Sequence, residues 1–220
     1  MNFLRKNWFD IGGGLAFFFI IGLVFFYPHL TKYQFIMWVS LVSLFLHQLE
    51  EYRIVGTFPG MINTVLFKSE IPDRYPLNMN SAFYINVFIG WLSYFLAAVF
   101  AEKAVWLGFA TILISLGNTI AHTIIFNARG KTFYNAGMAT CWLLFAPVIF
   151  YFFKIIIENH IATLTDWITG FVLGILLNYV GILKMIDWMK DKNTPYIFPI
   201  RFMKKKNIVS INSLKQEIKV

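Results

Sequence analysis

Two short polar motifs in this chain carry residue types that can hold a metal ion or move protons. The first is His47-x-x-Glu50-Glu51, in which the imidazole precedes the two carboxylates by three and four residues. On a helix this spacing places the three side chains on a shared face. The second is Asn118-x-x-x-His122, a pair that lies one helical turn apart. The two motifs together offer two imidazoles and two carboxylates.

Two imidazoles and one carboxylate suit zinc, iron(II) or manganese, and they leave coordination positions open for water or substrate. We therefore expect His47 and His122 to bind a divalent metal, with Glu50 or Glu51 as a further ligand. The spare carboxylate would act as a general acid or base, or would orient His47. A di-metal site is less expected, because helical bundles that hold one supply four carboxylates. The alternative for both histidines is a structural hydrogen bond between helices.

The composition requires an apolar solvent around the protein. Apolar residues make up 58% of the chain and charged residues 14%, against about 45–50% and 25% in soluble domains. A chain of 220 residues cannot bury that much apolar surface inside itself. The single cysteine, Cys141, excludes an internal disulfide framework and Cys-rich metal clusters. We therefore predict a multi-pass protein integral to the cell membrane.

Six stretches lack Asp, Glu, Lys and Arg and are long enough to cross a bilayer as helices. They are residues 11–31, 33–49, 75–101, 104–128, 132–153 and 167–183. The predicted fold is all-α, a polytopic membrane helix bundle of about six transmembrane helices. It forms a single domain over residues 1–190, followed by a basic cytoplasmic tail over residues 191–220. Residues 54–67 are apolar but too short to cross, which favours a short interfacial or re-entrant segment after the second helix.

The basic residues predict the orientation of these spans. Of the 19 Lys and Arg residues, Lys32, Lys103 and Lys154 alone fall on one side of the predicted bundle. Because cytoplasmic loops retain basic residues, both termini are predicted to be cytoplasmic. The net charge of +8 is then a topology signal, and we expect no nucleic-acid partner. We expect the Lys204-Lys205-Lys206 cluster to contact anionic lipid headgroups.

The predicted topology brings the candidate residues to one depth. His47 lies near the cytoplasmic end of the second span, and His122 lies near the cytoplasmic end of the fourth. Asn86, Asn118 and Asn178 fall in the same layer, where we expect them to bind substrate in a cavity that opens toward the cytoplasm. The alternative for each asparagine is helix packing. Membrane lipids and a lipid-soluble small molecule are the partners that such a site implies.

Three functions fit these residues. The leading hypothesis is a metal-dependent membrane enzyme that acts on a lipid or other hydrophobic substrate, with Glu50 and Glu51 as catalytic residues. A metal-free form of the same idea uses a Glu–His pair for proton transfer. The second hypothesis is a carrier or binding protein for a small cation or hydrophobic molecule, although no internal repeat of the kind common in transporters is visible. The third is a non-catalytic membrane partner subunit.

The motifs also resemble those of a known family. The segment His47-Gln48-Leu49-Glu50-Glu51 matches the signature of the HXXEE family of small prokaryotic membrane proteins. The resemblance extends to Phe58-Pro59, to Asn118-x-x-x-His122, and to Tyr134-Asn135-Ala136-Gly137, which is similar to the family's Tyr-x-Pro-Gly with Ala136 in place of proline. The function of that family is undefined, so the resemblance supports the choice of residues and implies no particular reaction.

Overall fold

The computed structural model describes residues 1–203, and within that range the protein is helical with no β-strand. The α-helices are α1 (Asn2–Phe26), α2 (Lys32–Leu49), α3 (Phe58–Met61), α4 (Met79–Phe83), α5 (Leu92–Phe100), α6 (Val105–Ile120), α7 (Phe126–Gly130), α8 (Met138–Thr140), α9 (Ala146–Asn159), α10 (Leu164–Leu176) and α11 (Met185–Trp188). The all-α prediction is therefore confirmed for the described part of the chain.

Wider π-helical stretches continue or join many of these helices. They span Glu50–Ile54 after α2, Ile62–Leu66 after α3, Tyr84–Trp91 between α4 and α5, Ala121–Ile125 between α6 and α7, Cys141–Phe145 between α8 and α9, and Leu177–Lys184 between α10 and α11. Such stretches are rare in proteins and often occur at functional sites.

Within residues 1–203, four continuous helical segments are long and apolar enough to cross a membrane. They are Asn2–His29, Met79–Gly130, Met138–Asn159 and Leu164–Trp188. Helix α2 is not one of them, and polar residues such as Gln34, His47 and Gln48 lower its hydropathy. This helix packs against α1, α5 and α9, so much of its surface faces protein and not lipid.

The 52-residue segment Met79–Gly130 folds back on itself. At Ala101 the backbone takes φ 39° and ψ −115°, and a 3-10 turn follows over Ala101–Ala104. Beyond the turn α6 packs against α5, and the Tyr94 hydroxyl donates to Thr111 O at 2.9 Å. The segment is therefore a helical hairpin with two long arms.

Local sequence signals explain where several helices begin. Thr31 caps α2 and Thr163 caps α10, and in each case the hydroxyl accepts from the backbone three residues later. The side chains at those later positions, Gln34 and Asp166, bond back to the capping residue. These reciprocal capping boxes satisfy backbone donors that a helix start otherwise leaves free.

Two segments close the end of the bundle that carries the polar motifs. The buried Asn63 side chain bonds Pro72 O at 2.9 Å and Leu77 O at 2.8 Å, which shapes the loop after α3. Residues 196–203 then pack against this loop, and Phe202 is buried. The Lys204-Lys205-Lys206 cluster, which we predicted to contact lipid headgroups, lies outside the described residues.

Candidate metal centre

Two histidines and one glutamate meet in the interior of the bundle. His47 comes from the last turn of α2, and Glu51 follows it in the π-helical stretch Glu50–Ile54. His122 comes from the π-helical stretch after α6. His122 Nε2 lies 3.2 Å from Glu51 Oε1, and His47 Nε2 lies 3.5 Å from the same oxygen. The three residues are 0%, 2% and 4% exposed for His122, His47 and Glu51.

The hydrogen bonds of Asn135 fix the proton of His122. The Asn135 amide nitrogen donates to His122 O at 2.7 Å and to Asn127 Oδ1 at 2.8 Å. Its oxygen must then be the acceptor that lies 2.6 Å from His122 Nδ1. Because this oxygen can only accept, His122 Nδ1 carries the proton and Nε2 keeps a lone pair.

A second chain of hydrogen bonds fixes the proton of His47. The Thr140 hydroxyl lies 2.6 Å from Glu50 Oε2 and 2.9 Å from His47 Nδ1. A carboxylate only accepts, so the single hydroxyl proton goes to Glu50 and the hydroxyl oxygen accepts from His47 Nδ1–H. The His47 ring therefore also carries its proton on Nδ1 and presents a lone pair at Nε2.

The result is a cluster of acceptors without a donor between them. The Nε2 atoms of His47 and His122 are buried, and neither has a hydrogen-bond partner within residues 1–203. Both nitrogens lie close to the Glu51 carboxylate, which also accepts. Buried polar atoms are nearly always paired, and two imidazole nitrogens that face one carboxylate oxygen could share either a proton or a metal cation with it. The same three side chains form the donor set of a two-histidine, one-carboxylate metal site.

Glu50 is held away from this cluster by the start of the helix that begins with α8. Its carboxylate accepts from the Tyr134 hydroxyl at 2.6 Å, from Ala139 N at 3.2 Å, and from the backbone nitrogen and hydroxyl of Thr140 at 2.8 and 2.6 Å. Burial and the Glu50 carboxylate raise the pKa of Tyr134 to about 12, so the phenol remains a donor at neutral pH. A carboxylate at a helix start is also favoured by the helix dipole.

Cys141 lies on the far side of His47. Its sulfur is 3.8 Å from His47 Nδ1, and the ligand atoms of Cys141, His47 and His122 all lie within 4.8 Å of one another. The imidazole nitrogen near this sulfur is Nδ1, which is already bonded to Thr140. The hydrogen-bond network therefore favours the Nε2 side, where Glu51 lies.

Gly137 and two aromatic rings enclose the imidazoles. Gly137 has φ +102°, and a Cβ built there would lie 2.5 Å from His122 Cε1 and 2.8 Å from His47 Cε1. Phe58 stacks on His122 with ring centroids 5.6 Å apart, and Phe145 lies 4.7 Å from the His47 ring. A residue without a side chain is thus required at position 137, both for its backbone angle and for the space.

A cavity of about 80 Å³ adjoins the cluster and is lined by His47 and Glu51. Of the asparagines predicted to bind substrate, Asn86 and Asn118 line this cavity. Asn178 does not: it bonds Gly174 O at 2.9 Å and packs against Gly117. Asn86 is fixed by Gln48, whose Nε2 donates to it at 2.9 Å and whose Oε1 accepts from Trp91 at 2.6 Å.

Sequence reasoning placed His47, His122, Glu50 and Glu51 in one layer, and the structure brings three of them together. The sequence alone did not identify Thr140, which orients His47, and it left the roles of Glu50 and Glu51 interchangeable. Nothing in the sequence around Thr140 singles it out, because its partners lie some 90 residues earlier in the chain.

Comparison with known proteins identifies a family for most of the segment that carries the polar motifs. A family model described as a protein of unknown function with an HXXEE motif matches residues 38–152. This range contains both histidines, both glutamates and the loop that holds them. No curated protein and no solved structure matches the chain.

Proposed function

Because the chain belongs to the HXXEE family, whose function is unknown, we propose a function from its side chains: a membrane enzyme that binds one divalent metal ion and acts on a hydrophobic substrate. The metal ligands are His47 Nε2, His122 Nε2 and the Glu51 carboxylate. The observation that carries the proposal is the pair of buried Nε2 atoms that have no partner among residues 1–203.

The spacing of the ligand atoms supports the proposal. Metal–nitrogen and metal–oxygen bonds of about 2.0 to 2.1 Å place neighbouring ligands of a tetrahedron about 3.3 Å apart. The two Nε2–Oε1 distances are 3.2 and 3.5 Å, on either side of that value. With three protein ligands a tetrahedral ion keeps one position for water or substrate, as catalytic sites do.

The surroundings assign different roles to the two glutamates. Glu51 is the ligand, whereas Glu50 is a positioning residue. Glu50 accepts the proton of the Thr140 hydroxyl, and this hydrogen bond sets the tautomer of His47. Such outer partners orient the ligand rings and typically change metal affinity or activity about 10- to 100-fold when removed. The bound metal would polarise a water molecule or an oxygen of the substrate.

We also propose that the bundle crosses the membrane six times, with both termini in the cytoplasm. The hairpin of Met79–Gly130 supplies two spans, and α2 supplies one that is shielded by its neighbours. Lys and Arg are concentrated near the two termini and in the connections that follow the second and fourth spans. This distribution supports the proposed orientation. The metal centre then lies close to the cytoplasmic surface.

Metal analysis of purified protein tests the site. We expect a single divalent ion per chain in the wild type, measured by mass spectrometry for zinc, iron and manganese after purification with a tag that does not bind metal. His47→Ala, His122→Ala and Glu51→Gln should each lose the ion. His160→Ala, which removes an exposed histidine outside the cluster, should keep it.

Wild-type protein without a stoichiometric ion would refute the metal proposal. If such protein converted its substrate in the presence of chelators, proton transfer between Glu51 and a histidine would be the better account. Liposome flux that Glu51→Gln abolishes, without any turnover of substrate, would favour a carrier.

A further inference from the structure

Polar and apolar side chains together line the cavity beside the proposed metal centre. The polar ones are Glu51 and His47 and the amide side chains of Gln48, Asn86 and Asn118. The remainder is formed largely by Leu, Ile and Phe side chains from six parts of the chain. A ligand that fills this space needs an oxygen for the polar side chains and hydrocarbon for the apolar ones.

The size of the cavity limits what can enter it. Its volume of about 80 Å³ is roughly half that of an engineered apolar cavity that accepts benzene. It is also well below the roughly 300 Å³ at which pockets begin to hold drug-sized molecules. A narrow group of a few heavy atoms fits, whereas a phosphate-bearing headgroup with its glycerol does not.

The side chains around the cavity favour an uncharged ligand. Within residues 1–203 the lining contains no Lys, Arg or Asp, and Glu51 is its one carboxylate. The proposed metal ion is thus the one cation at the cavity that could pair with an anionic ligand, and the Glu51 carboxylate already offsets part of its charge. Amide N–H groups suit an uncharged oxygen instead.

One wall of the cavity lies next to lipid-facing residues. Ile89 and Ile182 line the cavity, and their neighbours in the chain, Phe88 and Leu183, are exposed on the outside of the bundle. The two π-helical stretches that carry them are in close contact, since a Cβ at Gly181 would lie 2.9 Å from Ile89 Cγ2. A hydrocarbon chain that extends beyond the cavity would have to part these two stretches to reach the lipid.

From these observations we infer that the cavity binds the end of an unbranched hydrocarbon that carries one uncharged oxygen function, a hydroxyl or a carbonyl, next to the metal centre. The substrate is thus a neutral long-chain alcohol, aldehyde or ketone drawn from the bilayer, not a phospholipid headgroup. This inference rests on the proposed function, because it places the oxygen at the proposed metal.

Fluorine NMR on protein in lipid nanodiscs tests this inference with n-hexanol that carries a terminal fluorine. We expect a bound resonance that n-hexanol displaces and that tert-butanol, hexanoate and hexyl phosphate do not. Gly90→Leu adds a side chain at a lining position and should weaken binding about tenfold or more, equivalent to excluding two methylene groups.

Two control variants separate cavity filling from general damage. Gly90→Ala adds only a Cβ, which would lie 3.5 Å from its nearest neighbours, so binding should remain close to that of the wild type. Gly14→Leu adds the same bulk as Gly90→Leu at a glycine with no atom within 4 Å, and it should also leave binding unchanged.

The outcomes distinguish this inference from the metal proposal. Protein that holds its metal but binds no hexanol, or binds hexyl phosphate equally well, overturns the substrate class and leaves the metal centre intact. Equal binding by the wild type and Gly90→Leu overturns the location. Hexanol binding in this cavity by wild-type protein that is purified without a stoichiometric ion would support the cavity, and the missing ion would refute the metal centre.

Discussion

The two adjacent glutamates should respond in opposite ways to loss of charge. Glu50→Gln and Glu51→Gln are the same chemical change one residue apart, and both side chains are buried. Glu50 faces four hydrogen-bond donors, whereas Glu51 faces two imidazole nitrogens that are acceptors. We therefore expect Glu50→Gln to reduce stability and Glu51→Gln to remove the metal with little cost to the fold.

The size of each effect follows from these partners. The glutamine at position 50 keeps one acceptor oxygen and turns an amide group toward two of the four donors. Hydrogen bonds to charged groups contribute about 1.5 to 3 kcal/mol each. The Thr140 hydroxyl can turn to Gly137 O, 3.1 Å away, so the lower end applies and Glu50→Gln should cost about 3 kcal/mol.

At position 51 the same change supplies a missing donor. A glutamine amide can donate to one of the two unpaired Nε2 atoms, and it removes a buried charge. In chelator the free energy of unfolding should therefore stay within about 1 kcal/mol of the wild type, the net value of one hydrogen bond. With metal at about 1,000 times its dissociation constant, the wild type should gain about 4 kcal/mol that Glu51→Gln lacks.

Unfolding by SDS titration in mixed micelles, with and without chelator, measures both free energies on the same preparations. A metal-free Glu51→Gln protein less stable than metal-free Glu50→Gln would refute the roles assigned to the two carboxylates. The same conclusion would follow if Glu50→Gln left stability unchanged and abolished metal binding.

Three further predictions concern the loop and the topology. Gly137→Ala should abolish metal binding and cost about 1 to 3 kcal/mol for the strained backbone alone, whereas Gly14→Ala, at an exposed helical glycine, should bind metal normally. Tyr134→Phe should lower the free energy of unfolding by about 1 kcal/mol, since the phenol is half exposed, and should retain the metal; loss of the metal would show that this bond also holds the ligands. In intact cells, a membrane-impermeant maleimide should label a cysteine introduced by His160→Cys and not one introduced by Lys131→Cys, and the opposite pattern would reverse the proposed orientation.

The general position of the site was predictable from the sequence because topology and depth depend on composition. Runs without charge indicate where helices can cross, and the basic residues predict an orientation for them. His47 and His122 then fall at one level, and the structure brings them together. The helical hairpin was also visible, since Glu102 and Lys103 interrupt the long apolar run at the turn.

Which of the two carboxylates contacts the imidazoles was not predictable, because it depends on the rotation of the helix and on hydrogen-bond partners that are distant in the chain. Glu50 and Glu51 lie three and four residues after His47, and both positions belong to the same face of an ideal helix. The π-helical stretch that begins at Glu50 and the donors of the loop before α9 decide which carboxylate turns inward. Neither can be read from the motif itself.

The hydrogen bonds from Glu50 to residues 134–140 also determine how late in synthesis the site can form. They join two parts of the chain more than 80 residues apart, and the later part emerges from the ribosome after four of the six proposed spans. Until it arrives, His47 lacks the hydroxyl that sets its tautomer and His122 lacks Asn135. The proposed centre is therefore completed only when the segment Met138–Asn159 docks, so in nascent chains that end before residue 134 both imidazoles should lack the partners that set their tautomers.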